Sequence, residues 1–141
     1  MLFRSFKKKA LKELRKEANA SLEDINNKYD AETGSDDDLR EKFIKQTSEV
    51  KTLFKRIATR VKQLFVEIIE ECLDVLGNPP CDYEVMILGS LAREEMTPYS
   101  DIEWAILTNS EDEECKTFFR NLTNLVHFQV SKSLNSLFNF I

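Results

Sequence analysis

The chain has 141 residues, which is enough for one domain with a buried core and a helical extension. Its hydrophobic share is 42% and its charged share 32%, which indicates a soluble globular protein and excludes a disordered chain. The net charge of −5 argues against dedicated nucleic-acid binding, because neutralising phosphates requires a broad basic surface.

The charge is unevenly distributed along the chain. In residues 1–16, seven Lys and Arg side chains outnumber a single Glu, so this segment carries +6 and the remainder −11. A basic segment could contact a polyanion or a membrane surface, but a solvated helix face explains it more simply. Glu13 and Glu17 also argue against a transit peptide.

The cysteine content favours a reducing compartment. Cys72, Cys81 and Cys115 are three, so at least one has no disulfide partner, and no two of them have metal-ligand spacing. No apolar run approaches the roughly 18 residues that a membrane span needs. We therefore predict a cytoplasmic protein with no transmembrane segment.

The first predicted region, residues 1–80, is helical. Apolar residues recur at steps of three and four from Leu2 to Ala18, which predicts a helix over about residues 2–24. The segment that follows, residues 26–38, is rich in Asn and Asp and contains a glycine, so we predict a loop there.

A second and longer helix is predicted over about residues 37–76, where one apolar face continues for about ten turns. Ser35, followed three residues later by Asp38, resembles a capping arrangement at its start. Gly77 and the two prolines that follow it end the helix. A helix of this length, about 55 Å at the standard rise, must pack on the first helix or on a partner.

Two short strands are predicted in the second region, residues 81–141. Residues 85–88 are apolar and β-prone, and they lie between Pro80 and Gly89, which leaves too little room for a helix. Residues 101–107 alternate apolar and polar side chains, so one face of this strand belongs to the core.

A third helix is predicted after the second strand. Residues 110–113 read SEDE, a capping box that opens it. Its inner face is predicted to consist of Cys115, Phe118, Phe119, Leu122, Leu125 and Val126, with Val130 as a further candidate. Residues 131–141 alternate Ser and Asn with Leu and Phe, and their assignment stays open.

The candidate chemistry lies on the second strand. Asp101 and Glu103, at positions i and i+2, project from the same face of a strand a few ångströms apart. Such a pair suits Mg²⁺, which takes oxygen ligands and is usually shared with substrate phosphates. An isolated pair of this kind would be better explained as the solvent face of an edge strand. Here an apolar strand and a Gly-Ser turn precede it.

Gly89 and Ser90 stand where the first strand turns into a short helix. Glycine lets a phosphate approach the backbone, free N–H groups face it at the start of a helix, and the serine hydroxyl adds a donor. Arg93, one turn further on, could neutralise a phosphate through two parallel hydrogen bonds.

These residues together resemble a known pattern. Residues 89–103 read GSLAREEMTPYSDIE, in which Gly-Ser is followed after ten residues by Asp-apolar-Glu. This resembles the signature of the DNA polymerase β-like nucleotidyltransferase superfamily, and within it the sequence is most similar to the bacterial PII uridylyltransferases and related domains. The similarity covers residues 83–108, 26 of the 141. It implies that Gly89 and Ser90 bind nucleotide phosphates and that Asp101 and Glu103 hold the catalytic metal.

The sequence departs from that pattern in one respect. Such families usually add a third carboxylate from a later strand, whereas the only acids after Glu103 are the four at residues 111–114, in the capping segment. We therefore expect an α+β fold in which a long helical hairpin precedes a minimal or truncated nucleotidyltransferase core of two or more strands with flanking helices. On this view residues 81–141 are an incomplete core.

Two functions remain open at this point. The first is Mg²⁺-dependent transfer of a nucleoside monophosphate from an NTP to a protein or small acceptor, by an enzyme of the uridylyl- or adenylyltransferase type that is either active or inactive. The second is a non-catalytic helical module with a vestigial nucleotide site, which binds a protein partner or self-associates through the long helices.

Overall fold

The computed structural model describes residues 3–30 and 34–134. In chain order the elements are α1 (Phe3–Tyr29), α2 (Asp36–Leu76), β1 (Tyr83–Ile87), α3 (Gly89–Ala92), β2 (Trp104–Thr108) and α4 (Glu113–Leu134). The predicted fold class is confirmed, because a long helical hairpin precedes a two-stranded antiparallel sheet with flanking helices. The residue at which the first helix was predicted to start, Leu2, and most of the segment of open assignment, residues 135–141, lie outside the described residues.

Helix α1 continues to Tyr29, so the predicted end in the low twenties and the predicted loop start at residue 26 are wrong. The extra turns are held by α2. The Tyr29 hydroxyl donates to Glu49 Oε1 at 2.7 Å, and Lys28 forms an ion pair with the same carboxylate. Gln46 Nε2 donates to Asn26 Oδ1 at 3.2 Å. These contacts between helices are tertiary and leave no periodic signal in the sequence.

Both predicted ends of α2 are confirmed. At the start, Ser35 Oγ accepts from the Asp38 N–H at 3.4 Å, and the Asp38 carboxylate accepts from the Ser35 N–H at 3.3 Å. This reciprocal capping box satisfies two backbone donors that have no partner within the helix. At the other end, the N–H of Gly77, whose φ is +88°, donates to the Leu73 carbonyl at 2.8 Å.

The core consists of two clusters that share α2. The first, called the hairpin cluster below, contains Ala18, Leu53, Ile57, Ala58, Val61, Leu91 and Met96. The second, the sheet cluster, contains Phe65, Ile68, Ile69, Cys72, Cys115, Phe119, Leu122 and Val126. Helix α2 therefore packs on α1 with its middle and on α4 and the sheet with its final turns. The division of the chain at residue 80 stays a prediction.

The sheet is displaced from its predicted bounds. Strand β1 begins at Tyr83, two residues earlier than predicted, and pairs with β2 in the register Tyr83↔Thr108 to Ile87↔Trp104. Strand β2 begins at Trp104 rather than at Asp101, so the acidic pair precedes the ladder. One further bond, from the Leu88 N–H to the Glu103 carbonyl at 2.8 Å, continues the pairing towards that pair.

Helix α4 carries the predicted inner face, with four side chains buried and Phe118, Leu125 and Val130 packed beside them. Its predicted cap was placed on the wrong residue. The helix begins at Glu113, and the Asp112 carboxylate accepts from the Cys115 N–H at 2.8 Å, while the Ser110 hydroxyl donates to that carboxylate. Within the described ranges, no helix has the length and apolar character that a membrane span requires.

Candidate functional site

The turn after β1 meets Glu103, the second residue of the acidic pair, just before β2. Gly89 has φ +60°, a conformation that costs other residues energy. A β-carbon at this position would lie 1.7 Å from Glu103 Oε2 and 2.7 Å from Glu103 Cδ. The Glu103 carboxylate therefore rests directly on the glycine backbone. Gly89 is needed both for the turn and for this close contact.

Ile102 fixes the direction of the two acids. Its half-buried side chain packs against both the hairpin cluster and the sheet cluster, whereas Asp101 and Glu103 on either side of it are exposed. The inward and outward alternation predicted for a strand thus continues into this extended segment, although it precedes the ladder. The carboxylates are available to solvent and to ligands.

A tight turn leads into Asp101. The Thr97 N–H donates to Ser100 Oγ at 3.0 Å, and the Ser100 N–H donates back to the Thr97 carbonyl at 3.2 Å. Pro98, between them, is buried. The turn is therefore closed by its own hydrogen bonds and anchored by proline packing, which fixes the backbone from which Asp101 extends.

Ser90 and Arg93 lie on the short helix α3 and at its end. Ser90 is half-buried in the single turn, and its carbonyl accepts from the Glu95 N–H at 2.9 Å. Arg93 is exposed, and its Nε donates to Glu95 Oε2 at 2.9 Å. An exposed ion pair of this kind contributes little stability, so Arg93 can exchange Glu95 for another anion at small cost.

Two residues of α1 that were not selected from the sequence lie beside the turn that leads into Asp101. Asn19 Nδ2 donates to the Tyr99 hydroxyl at 2.9 Å. Arg15 borders the same turn; burial lowers the pKa of its guanidinium, while the nearby Tyr99 and Asp101 raise it. The only signal in the sequence is the position of Arg15 beside the apolar stripe of α1, which does not indicate what the stripe packs against.

The predicted Mg²⁺ ion requires oxygen ligands from this site. Among the described residues, no group of three or more His, Cys, Asp and Glu side chains is placed to hold a metal. Asp101 and Glu103 are two carboxylates, which is the usual protein contribution to a Mg²⁺ ion that takes its other ligands from phosphates and water. The pair therefore fits a substrate-shared ion and not a cage made by the protein alone.

The family model "Putative nucleotidyltransferase DUF294" matches residues 36–132. Because this match spans more than half of the chain, the protein belongs to that family. The matched range contains α2, both strands, the Gly89-Ser90 turn and the acidic pair, whereas α1 lies outside it. No solved structure matches the chain.

Proposed function

We propose that this chain is a Mg²⁺-dependent nucleotidyltransferase of the uridylyl- or adenylyltransferase type, similar to the PII-uridylyltransferase domains. It transfers a nucleoside monophosphate from an NTP to a protein or small-molecule acceptor. One observation carries the proposal: the Glu103 carboxylate rests on Gly89. The two halves of the motif, separated in sequence, thus share one location. Family membership supports the same conclusion.

Each residue has a defined part in this proposal. Asp101 and Glu103 would hold the divalent ion, which would supply charge neutralisation at the transferring phosphate. Gly89 admits the phosphates to the backbone, Ser90 donates its hydroxyl to them, and Arg93 offsets their negative charge. The acceptor oxygen attacks the α-phosphorus, the bond to the pyrophosphate leaving group breaks, and the acceptor proton passes to solvent or to a carboxylate.

The test is Mg²⁺-dependent NTP binding and turnover, measured with each of the four NTPs. Asp101→Asn and Glu103→Gln keep the side-chain size and remove the charge that holds the ion. We expect each to lower turnover by at least about 100-fold, because electrostatic stabilisation of the transferring group is lost. Asp74→Ala, which removes an exposed acid of α2, is the matched control and should leave turnover unchanged.

A second candidate function is supported by a separate surface. Phe43 and Ile44 on α2 are adjacent apolar side chains that are 68% and 66% exposed, although Gln46, three and two residues further on, contacts α1. This surface favours a non-catalytic module that binds a protein partner or self-associates. If Asp101→Asn leaves turnover unchanged, the nucleotidyltransferase proposal is contradicted. If the chain binds no NTP at all, the non-catalytic module is favoured.

A further inference from the structure

We propose that Arg15 and Asn19 of α1 are positioning residues for Asp101. They hold the turn formed by residues 97–100 against α1, so that the Asp101 carboxylate is presented beside Glu103. This inference rests on the proposed function, because it assigns to Asp101 the role of holding a divalent ion. It extends the site to an element outside the range matched by the family model.

The hydrogen bond between Asn19 and Tyr99 is the first support. It joins two residues 80 positions apart at 2.9 Å. Tyr99 lies inside the turn, and its own N–H donates to Thr97 Oγ1 at 3.3 Å. Because the turn is closed on itself, a restraint on Tyr99 restrains the backbone that leads to Asp101.

The packing of the turn against α1 and α2 is the second support. The space between α1, α2 and the turn is reduced to a cavity of about 20 Å³, room for about one water molecule. Arg15 borders this cavity together with Leu14 and Ala18 of α1 and with Pro98, Ser100 and Ile102. The turn cannot shift relative to α1 without breaking this packing.

Helix α2 contacts residues 94–100, the segment that leads to Asp101, from a second direction. Glu94, with φ +58°, forms ion pairs with Lys55 at 3.7 Å and Lys62 at 3.8 Å. Glu94, at the start of the segment that leads to Asp101, therefore contacts α2, and Tyr99, near the end of that segment, contacts α1. Without α1, the path of the chain to Asp101 would be defined by the α2 contacts, by the hydrogen bonds within the turn and by the packing of Met96 and Ile102.

The direction in which Mg²⁺ affinity changes when Arg15 is replaced distinguishes a positioning role from a purely electrostatic role. A guanidinium close to Asp101 repels a cation bound there, so a purely electrostatic role predicts that removing Arg15 tightens Mg²⁺ binding. A positioning role predicts the opposite, because a carboxylate that is no longer held in place binds the ion less well. The two roles therefore give opposite results in one titration.

The first experiment is calorimetric titration of the full chain with Mg²⁺ alone and, because the ion is shared with substrate phosphates, with the Mg²⁺ complex of an NTP. We expect Arg15→Gln and Asn19→Ala each to weaken binding by about tenfold, the lower end of the range for residues that orient metal ligands. Arg15→Lys, which keeps the charge, should recover part of the loss. Lys16→Gln removes a neighbouring exposed charge of the same helix and is the matched control. Tighter Mg²⁺ binding by Arg15→Gln would overturn the proposal.

The second experiment does not depend on the ion. Hydrogen exchange in the metal-free protein should be faster at residues 99–103 in Arg15→Gln and Asn19→Ala than in the wild type and in Lys16→Gln. Equal exchange in all four proteins would overturn the positioning role. If the wild-type chain binds neither Mg²⁺ nor NTP, the proposed function fails, and hydrogen exchange still decides whether α1 holds the turn.

Discussion

The two core clusters are built from different side chains and support different parts of the molecule. In the sheet cluster, aromatic rings make the contacts: Phe65 meets Trp104 edge-on at 5.2 Å, and Phe119 meets Tyr83 at 5.1 Å. In the hairpin cluster, Ala18 and the fully buried Ala58 allow close approach of the helices. The first cluster fixes the sheet, and the second receives the segment that carries the candidate site.

In residues 89–103, which carry the candidate site, Leu91 and Met96 are the buried members of the hairpin cluster. Ile87 and Ile102 touch both clusters, one before the Gly-Ser turn and one within the acidic pair. The site therefore lies at the boundary between the clusters. The sheet can therefore stay intact while the site is distorted, because different side chains hold the two.

The largest effect should come from shortening a buried leucine in either cluster. Leu91 and Leu122 are both 0% exposed, so Leu91→Ala and Leu122→Ala are a matched pair. We expect each to lower the free energy of unfolding by about 2–5 kcal/mol, because each removes buried methyl groups and leaves a cavity. Urea denaturation measures this loss. Only Leu91→Ala should also weaken NTP binding when the protein is fully folded; equal weakening by both would break the distinction between the clusters.

A smaller effect on stability, with a larger one on binding, is expected from a methyl group at Gly89. Gly89→Ala and Gly77→Ala both place a side chain at positive φ, at a cost of about 1–3 kcal/mol. A β-carbon at Gly77 meets nothing within 4 Å, whereas at Gly89 it displaces the Glu103 carboxylate. Calorimetry should therefore show weaker Mg²⁺ binding for Gly89→Ala alone. Similar Mg²⁺ binding by the two variants would mean that the Glu103 contact is irrelevant to the site.

The smallest effect concerns the start of α4, which belongs to the sheet cluster. The Cys115 N–H, and then the Ser110 hydroxyl, lower the pKa of Asp112 below its ordinary value of 3.8. Its stabilising contribution is therefore present above about pH 4 and is lost as the pH falls through the folded-state pKa. Asp112→Asn keeps a capping side chain that cannot ionise.

We expect the Tm of the wild type to fall more steeply than that of Asp112→Asn from about pH 5 to about pH 2, as measured by circular dichroism. The other acids titrate in both proteins, so the difference reports Asp112. Parallel pH curves for the two proteins would show that the charged cap does not contribute to the sheet cluster.

Local signals in the sequence were sufficient for much of the fold. The Ser35 and Asp38 pair and Gly77 predicted both ends of α2, because capping is decided within a few residues. The start of β2 was misplaced because alternation of side chains continues beyond the hydrogen-bonded ladder, as Ile102 shows. Periodicity reports which side of the chain is buried and does not report where backbone pairing begins.

For the candidate site, the motif was sufficient to select Gly89 and Glu103, but not to predict their direct contact. The roles of Arg15 and Asn19 could not be predicted, because each depends on a residue more than 75 positions away in the sequence. Such contacts are decided by how α1 lies on the rest of the molecule. No local pattern of residue types records that arrangement.

Trp104 lies between the sheet cluster and the acidic pair. It is the single tryptophan of the chain, its indole packs on Phe65 in the sheet cluster, and one peptide bond joins it to Glu103. The protein thus carries one indole, which can be excited selectively over its three tyrosines, at the junction of its core and its acidic pair. Its emission reports the packing of the sheet cluster and the surroundings of Glu103 in a single optical signal, without any label.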